Sequence, residues 1–204
     1  MPYGYLGQNL PNQTKANSGV FSISDVADLE KQGKFGGSLE LIEEINPSSV
    51  SSIEFTNIKE NKYDIHFFNF YVETTGSPKV YLSNNGGTSY ITSGYQEAAQ
   101  IGFVTGSFSE QKSTSQTYFQ DIGFSTGTPI MKNGYSYFYN LGNSSKYSHN
   151  TYHTFSNHPT AFISFFGGGV HPTAETINAI KFSVSSGNFT GTVKLYGVKQ
   201  LWVL

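Results

Sequence analysis

Length, composition and charge already narrow what this chain can do: its 204 residues include no arginine and no cysteine, and 12 lysines against 14 acids leave a net charge of −2. Without the bidentate guanidinium and without a basic field, direct binding of nucleic acid is not expected, and stability does not rest on disulfides. Charged residues make up 13% and aromatics 16%, against a usual charged share of about 25%, a balance that suits a subunit of an assembly or an uncharged polar surface.

Residues 1–20 hold Pro2, Pro11, three glycines and little apolar periodicity, which reads as an extended arm without its own core. A basic, apolar secretion signal is not expected there. The apolar exceptions are Tyr3, Tyr5, Leu6 and Leu10, which suit pockets on a partner subunit. One short helix is predicted over Asp25–Gln32, with Ser22 or Ser24 as its cap, Asp25 and Asp28 at the positive end and Lys31 with Gly33 at the exit. Gly36-Gly37 breaks the chain, and Leu39, Leu41 and Ile45 alternate as a strand before Asn46-Pro47-Ser48-Ser49 forms a link. Residues 1–46 are therefore assigned to an N-terminal anchoring arm with a short helix, and 47–204 to one β domain.

Short strands dominate the remainder of the chain. Tyr63 to Val72 is almost unbroken aromatic and β-branched sequence, predicted as a strand buried on both faces. Lys79–Ser83 and Thr88–Thr92 flank Asn84-Asn85-Gly86-Gly87, a hairpin signal. Further strands are expected at Ile101–Val104, Thr117–Ile122, Tyr135–Leu141, Asn150–Phe155 and Ala161–Phe166. Ile180, Phe182 and Val184 share one face, the turn Ser186-Gly187-Asn188 comes next, and Val193 and Leu195 point inward from Thr190–Val198, the pattern of an antiparallel hairpin. The predicted fold is an all-β antiparallel sandwich of jelly-roll type. No apolar run approaches the roughly 18 residues of a membrane-spanning helix.

Chemistry-bearing patterns are sparse. His149, His153 and His158 cluster in sequence, but Asn150, Thr151, Tyr152 and Thr154 favour strand or loop, where i and i+4 do not meet as they do on a helix. Neither a metal nor a cofactor is expected, and His66 reads as a buried histidine with a satisfied partner. No serine sits in a nucleophile-elbow context. The acidic pairs Glu54 with Glu60 and Glu73 with Glu97 are the ones that folding could bring together as glycosidase carboxylates. Gly167-Gly168-Gly169 lacks the residues of a phosphate loop and reads as a loop tip. No catalytic residue is assigned. Tyr90, Tyr95, Tyr135, Tyr137, Tyr139, Tyr147 and Tyr152 are too many to bury with satisfied hydroxyls. They either edge the core or form a contact surface, for which Tyr90, Tyr95, Tyr147 and Tyr152 are the candidate recognition residues.

The ending Ile180-Lys181-Phe182-Ser183, followed by Ser186-Gly187-Asn188-Phe189-Thr190-Gly191-Thr192-Val193-Lys194-Leu195-Tyr196-Gly197-Val198, resembles the C-terminal hairpin of virion structural proteins of tailed, marine-type bacteriophages. Ser52–Ile58, Leu82–Tyr90 and the stretch from Asn17 to Val26 resemble segments of the same group. The resemblance implies a β-rich virion component such as a capsid decoration or short tail accessory protein, contacting other virion proteins. Low charge and many aromatics leave apolar surface that a monomer would expose, so a homo-oligomer, a trimer first of all, is expected to hide it. The alternative is a receptor- or glycan-binding module of a tail fibre or appendage. No membrane partner and no catalytic residue are implied.

Overall fold

The structure, a computed structural model, describes residues 39–121, 123, 125–159 and 161–199. The arm residues Tyr3, Tyr5, Leu6 and Leu10 and the predicted helix Asp25–Gln32 lie outside the described residues. Among the described residues there is no helix, and twelve strands run antiparallel in two sheets. In chain order they are β1 (Leu39–Ile45), β2 (Ser52–Phe55), β3 (Ile65–Thr74), β4 (Pro78–Ser83), β5 (Tyr95–Phe103), β6 (Phe108–Gln116), β7 (Gln120–Asp121), β8 (Ile130–Tyr139), β9 (Tyr147–His158), β10 (Ala161–Ala174), β11 (Ala179–Val184) and β12 (Phe189–Val198). Eight strands form one sheet in the order β1-β12-β3-β8-β9-β10-β5-β6, and four form the other in the order β2-β11-β4-β7. The antiparallel all-β class is as predicted. One sheet alone holds eight strands, which differs from the two-sheet sharing of eight strands in a jelly roll.

The two sheets share a core of rings. Phe182 of β11 meets Phe68 and Phe70 of β3 at centroid distances of 5.8 and 5.4 Å, and Phe189 of β12 at 5.1 Å. Phe55 of β2 packs edge-on against Phe68 at 6.0 Å. The stack continues under the far half of the large sheet, where Phe138 stacks on Phe119 and Phe119 lies against Tyr95. Each of these rings is essentially excluded from solvent, and burying such a side chain contributes about 1.5–3 kcal/mol relative to leaving it exposed.

Several expectations are corrected by the pairing. β3 is buried on one face only: His66, Phe68, Phe70, Val72 and Thr74 are buried, whereas Asn69, Tyr71 and Glu73 are exposed and Phe67 is half-buried. Its outward face is aromatic too, which hides the alternation in the sequence. β11 and β12 are not a hairpin: β11 pairs with β2 and β4, and β12 pairs with β1 and β3. The Ser186-Gly187-Asn188 turn therefore carries the chain from one sheet to the other. Thr88–Thr92 does not return as a strand beside β4 either, because β4 is already paired with β11 and β7. Ser83 Oγ and Asn178 Oδ1 accept the Gly87 and Gly86 amides at 3.0 and 2.7 Å, and the positive φ of both glycines turns the chain away. β1, assigned by patterning to the 1–46 segment, is an edge strand paired with β12, so the sandwich takes in Leu39 onward. β6, with the polar sequence FSEQKSTSQ, has no signal in the apolar pattern, because an edge strand with little core contact needs no apolar alternation.

Gly167-Gly168-Gly169 is no loop tip. The run lies in the middle of β10, hydrogen-bonded to β9 on one side and β5 on the other. By alternation with the buried Ile163, Phe165 and His171, Gly167 and Gly169 face inward. Their missing side chains let Tyr152 of β9 reach across β10 and donate its hydroxyl to Glu97 of β5 at 2.6 Å. Both residues are buried, and Gln111 Nε2 donates to the other Glu97 oxygen at 3.2 Å.

His66 and Glu40 are among the groups that make stability acid-sensitive. His66 is fully buried with Nε2 2.8 Å from the Ile58 carbonyl; burial pushes its imidazole below the ordinary 6.5, and the carbonyl only partly opposes this. Glu40 is held at about 2, chiefly by the hydrogen bond that Lys62 donates at 2.8 Å. A depressed folded value means that the unfolded chain binds the proton first, so stability is lost as pH falls. The His66 contribution starts to fall below 6.5 and the Glu40 contribution between 4.5 and about 2. Urea midpoints measured from about pH 8 to about pH 3 should show two descending stages, and His66→Gln, which keeps a donor for Ile58 without titrating, should flatten the upper one only. An unchanged upper stage in that variant would remove His66 as its cause.

Candidate recognition surface

The residues of the large sheet that alternate with the core face the other way, and strand register arranges them in rows. Tyr196, Phe67, Tyr137 and Thr151 stand opposite one another across β12, β3, β8 and β9. The next row is Asn69, Tyr135, His153 and Phe166, and the third is Tyr71, Asn133, Phe155 and Ser164. Ring contacts join the rows into one band. Tyr196–Phe67 is 5.9 Å, Phe67–Tyr137 is 5.0 Å and Phe67–Tyr135 is 6.0 Å. The band continues through Tyr135–His153 at 6.0 Å, His153–Phe155 at 5.8 Å and Phe155–Phe162 at 6.3 Å. It crosses five strands, a width of about 19 Å at the usual inter-strand spacing.

Four rings of this face are well exposed, Tyr135 at 39%, Phe162 at 47%, Phe166 at 46% and Tyr71 at 52%, whereas Phe67, Tyr137, His153, Phe155 and Tyr196 are half-buried among them. Polar side chains are interleaved with them. His153 Nε2 lies 2.8 Å from Ser164 Oγ, and the Tyr139 and Thr151 hydroxyls are 3.3 Å apart. The outward positions of β8, β9 and β10 carry no Asp, Glu or Lys. Lys194 of β12, opposite Asn69, pairs with Glu44 at 2.9 Å, Lys112 of β6 pairs with Glu110 at 2.8 Å, and Glu73 of β3 stands exposed beside Tyr71.

The small sheet treats its tyrosines differently. Lys181 lies 4.8 Å over Tyr81 and 4.2 Å over Tyr90, and Lys79 lies 4.0 Å over Tyr118. A lysine stem covers apolar ring surface while its ammonium gains cation–π attraction. Among the described residues no ammonium lies over the rings of the large sheet. One aromatic face is capped by its own lysines and the other is left open.

Of the four recognition residues predicted from sequence, only Tyr147 is well exposed, at 49%. Tyr90 is half-buried beneath Lys181, and burial pushes its phenol up to about 12. Tyr95 and Tyr152 are corrected to core residues. The Tyr95 hydroxyl donates to the Ile91 carbonyl at 3.1 Å and accepts from the Leu82 amide at 3.2 Å, while Tyr152 is taken by Glu97. Buried partners satisfy hydroxyls for which the sequence shows none. Tyr135, Tyr137 and Tyr139 do lie on the open face, and Phe67, Phe162, Phe166 and Tyr196 join them there, unsignalled because apolar rings in a strand read as core.

His149 and His153 share the outward side of β9 four residues apart, about 13 Å along a strand, and His149 Nδ1 lies 3.0 Å from the Tyr147 carbonyl. Among the described residues no group of three or more His, Cys, Asp or Glu could hold a metal ion. Glu73 is exposed on the outer face of β3 and Glu97 buried on the inner face of β5, so that pair does not converge. A buried His171 meets Glu175 at 2.6 Å; burial raises the Glu175 carboxyl, but hydrogen bonds from Asn84 and His171 outweigh it and hold it low. Comparison of the chain with protein-family models, curated proteins and solved structures finds no match.

Proposed function

We propose that the protein is a non-enzymatic structural subunit of a tailed-phage virion, a capsid decoration or short tail accessory protein whose sandwich presents the open aromatic face as a contact surface. The observation that carries a contact role is the band from Tyr196 to Phe162, contiguous and partly open to solvent, with Tyr135 and Phe162 well exposed, while Tyr81 and Tyr90 on the other side are capped by Lys181. Patches of that kind mark interaction sites in soluble proteins. The virion assignment is supported by the resemblance of the closing Ile180–Val198 segment and by the low charge. In this reading residues 1–20 anchor the subunit on a neighbouring virion protein. The second reading, a receptor- or glycan-binding module of an appendage, is favoured by the amides, hydroxyls and imidazole set among the rings.

Purified particles decide the assignment. The full chain should co-purify with them and be locatable on shell or tail by electron cryo-microscopy, whereas a variant lacking residues 2–16 should fold yet stay in the soluble fraction. Absence of the full chain from purified particles would overturn the virion role, and normal incorporation of the deletion would overturn the arm.

A further inference from the structure

The open face of the eight-stranded sheet has the chemistry of a binding platform for a neutral polysaccharide chain, and we propose that it takes such a glycan along the row of rings from Tyr196 through Phe67 to Tyr137 and Tyr135. This rests on that face being a contact surface, and it does not depend on the virion assignment.

Three observations select the ligand. The first is ring supply: Phe67 sits 5.0–6.0 Å from Tyr137, Tyr135 and Tyr196 at interplanar angles of 36–46°, so four rings cluster on one side of one sheet. The C–H faces of pyranose rings are apolar and stack on such surfaces, while their hydroxyls project from the edges. The second is what stands between the rings. Asn69, Asn133, Thr151, His153 and Ser164 occupy the outward positions beside the aromatics, where they can exchange hydrogen bonds with sugar hydroxyls. His153 with Ser164 and Thr151 with Tyr139 already pair with each other. Pressing this face against a second copy would strip water from the hydrogen-bonding capacity these pairs leave unused, which is costly unless the partner replaces it. The third is charge. A uronate or sulfated chain needs cations, and the lysines nearest the rings, Lys194 and Lys112, are already bound to Glu44 and Glu110. A face whose lysines are paired with carboxylates, and whose exposed Glu73 would repel an anion, suits an uncharged glycan.

The test uses the full chain in affinity electrophoresis through gels containing a glucan, a galactan, a mannan or, separately, polygalacturonate. At least one neutral polysaccharide should retard the wild type. The double variant Tyr135→Ala/Tyr137→Ala should lose affinity roughly tenfold or more, and Tyr135→Phe/Tyr137→Phe, which keeps both ring faces, should retain most of it. Phe166→Ala, a single exposed ring in the Tyr135 row, gives an independent reading should the double variant melt early. The proposal is overturned if no neutral polysaccharide retards the wild type or if the alanine variants are retarded equally. Stronger retardation by polygalacturonate that fades with salt also overturns it. So does a concentration-dependent dimer, seen by sedimentation, that the double alanine variant dissolves, because the face would then be an interface between copies.

Discussion

Phe182→Ala is expected to lower the free energy of unfolding by roughly 3–5 kcal/mol, the range for emptying a fully buried phenylalanine site. Phe182 is, with Phe55, a ring through which the small sheet holds the large one. It is fully buried on β11 and meets Phe68, Phe70 and Phe189 within 5.1–5.8 Å, two strands of the opposite sheet. The cavity opens between two sheets whose backbones are tied into their own ladders, so collapse can recover only part of the lost contact. Domains of ordinary size have only about 5–15 kcal/mol in total, so one truncation removes a large share. Urea unfolding should show a much lower midpoint at an unchanged slope. Phe162→Ala, with the ring 47% exposed on the outer face, is the comparison and should cost far less. If the two variants lost similar stability, the two sheets would not be joined by this ring cluster.

Gly169→Val should be as damaging, by roughly 3 kcal/mol or more, through overpacking and the loss of a buried charge-assisted bond. A Cβ at Gly169 would stand 2.8 Å from the Gln96 carbonyl oxygen and 3.0 Å from Asn150 Oδ1, and one at Gly167 only 2.5 Å from the Ala98 oxygen. Backbone atoms cannot turn aside as a side chain does. The added methyls would also occupy the space through which Tyr152 reaches Glu97 over β10. Tyr152→Phe isolates the second effect: it removes the hydroxyl alone, leaves Glu97 with Gln111 as donor, and should cost about 1–3 kcal/mol. Thermal and urea unfolding of the three proteins would order them wild type, Tyr152→Phe, Gly169→Val. A Gly169→Val protein as stable as the wild type would show that the inner face above β10 has room to spare.

Part of the candidate surface could be read before folding. Tyr135, Tyr137, Tyr139 and Tyr147 belong to the seven tyrosines that are too many to bury together, and they do lie outward, although of the four only Tyr147 is picked out as a recognition residue. Tyr95 and Tyr152 carry the same signal and are buried, because the chain just before Tyr95 folds back to offer the Leu82 amide and the Ile91 carbonyl to its hydroxyl, while Glu97, far along the chain, takes that of Tyr152. Phe67 and Phe166 are apolar residues of strongly β-prone runs, and nothing in their own neighbourhood distinguishes an open face from a covered one. Gly167-Gly168-Gly169 misleads for a related reason: glycine is judged by its freedom in turns, whereas here its missing side chain is what β10 requires.

Alternation in the sequence was enough to determine an all-β antiparallel protein and the inward residues of its last strands, since a period of two reports which side of a strand is apolar. It reports nothing of the neighbour across the hydrogen bonds. Ile180 and Phe182 on β11, and Val193 and Leu195 on β12, alternate as a hairpin would, yet they approach one core from opposite sheets. Only tertiary pairing decided that division, and only register across β12, β3, β8 and β9 brought residues 196, 67, 137, 135 and 153 into one band of rings. A surface made of side chains tens of residues apart exists through strand order, which is a long-range balance of pairing and burial that no local window of sequence contains.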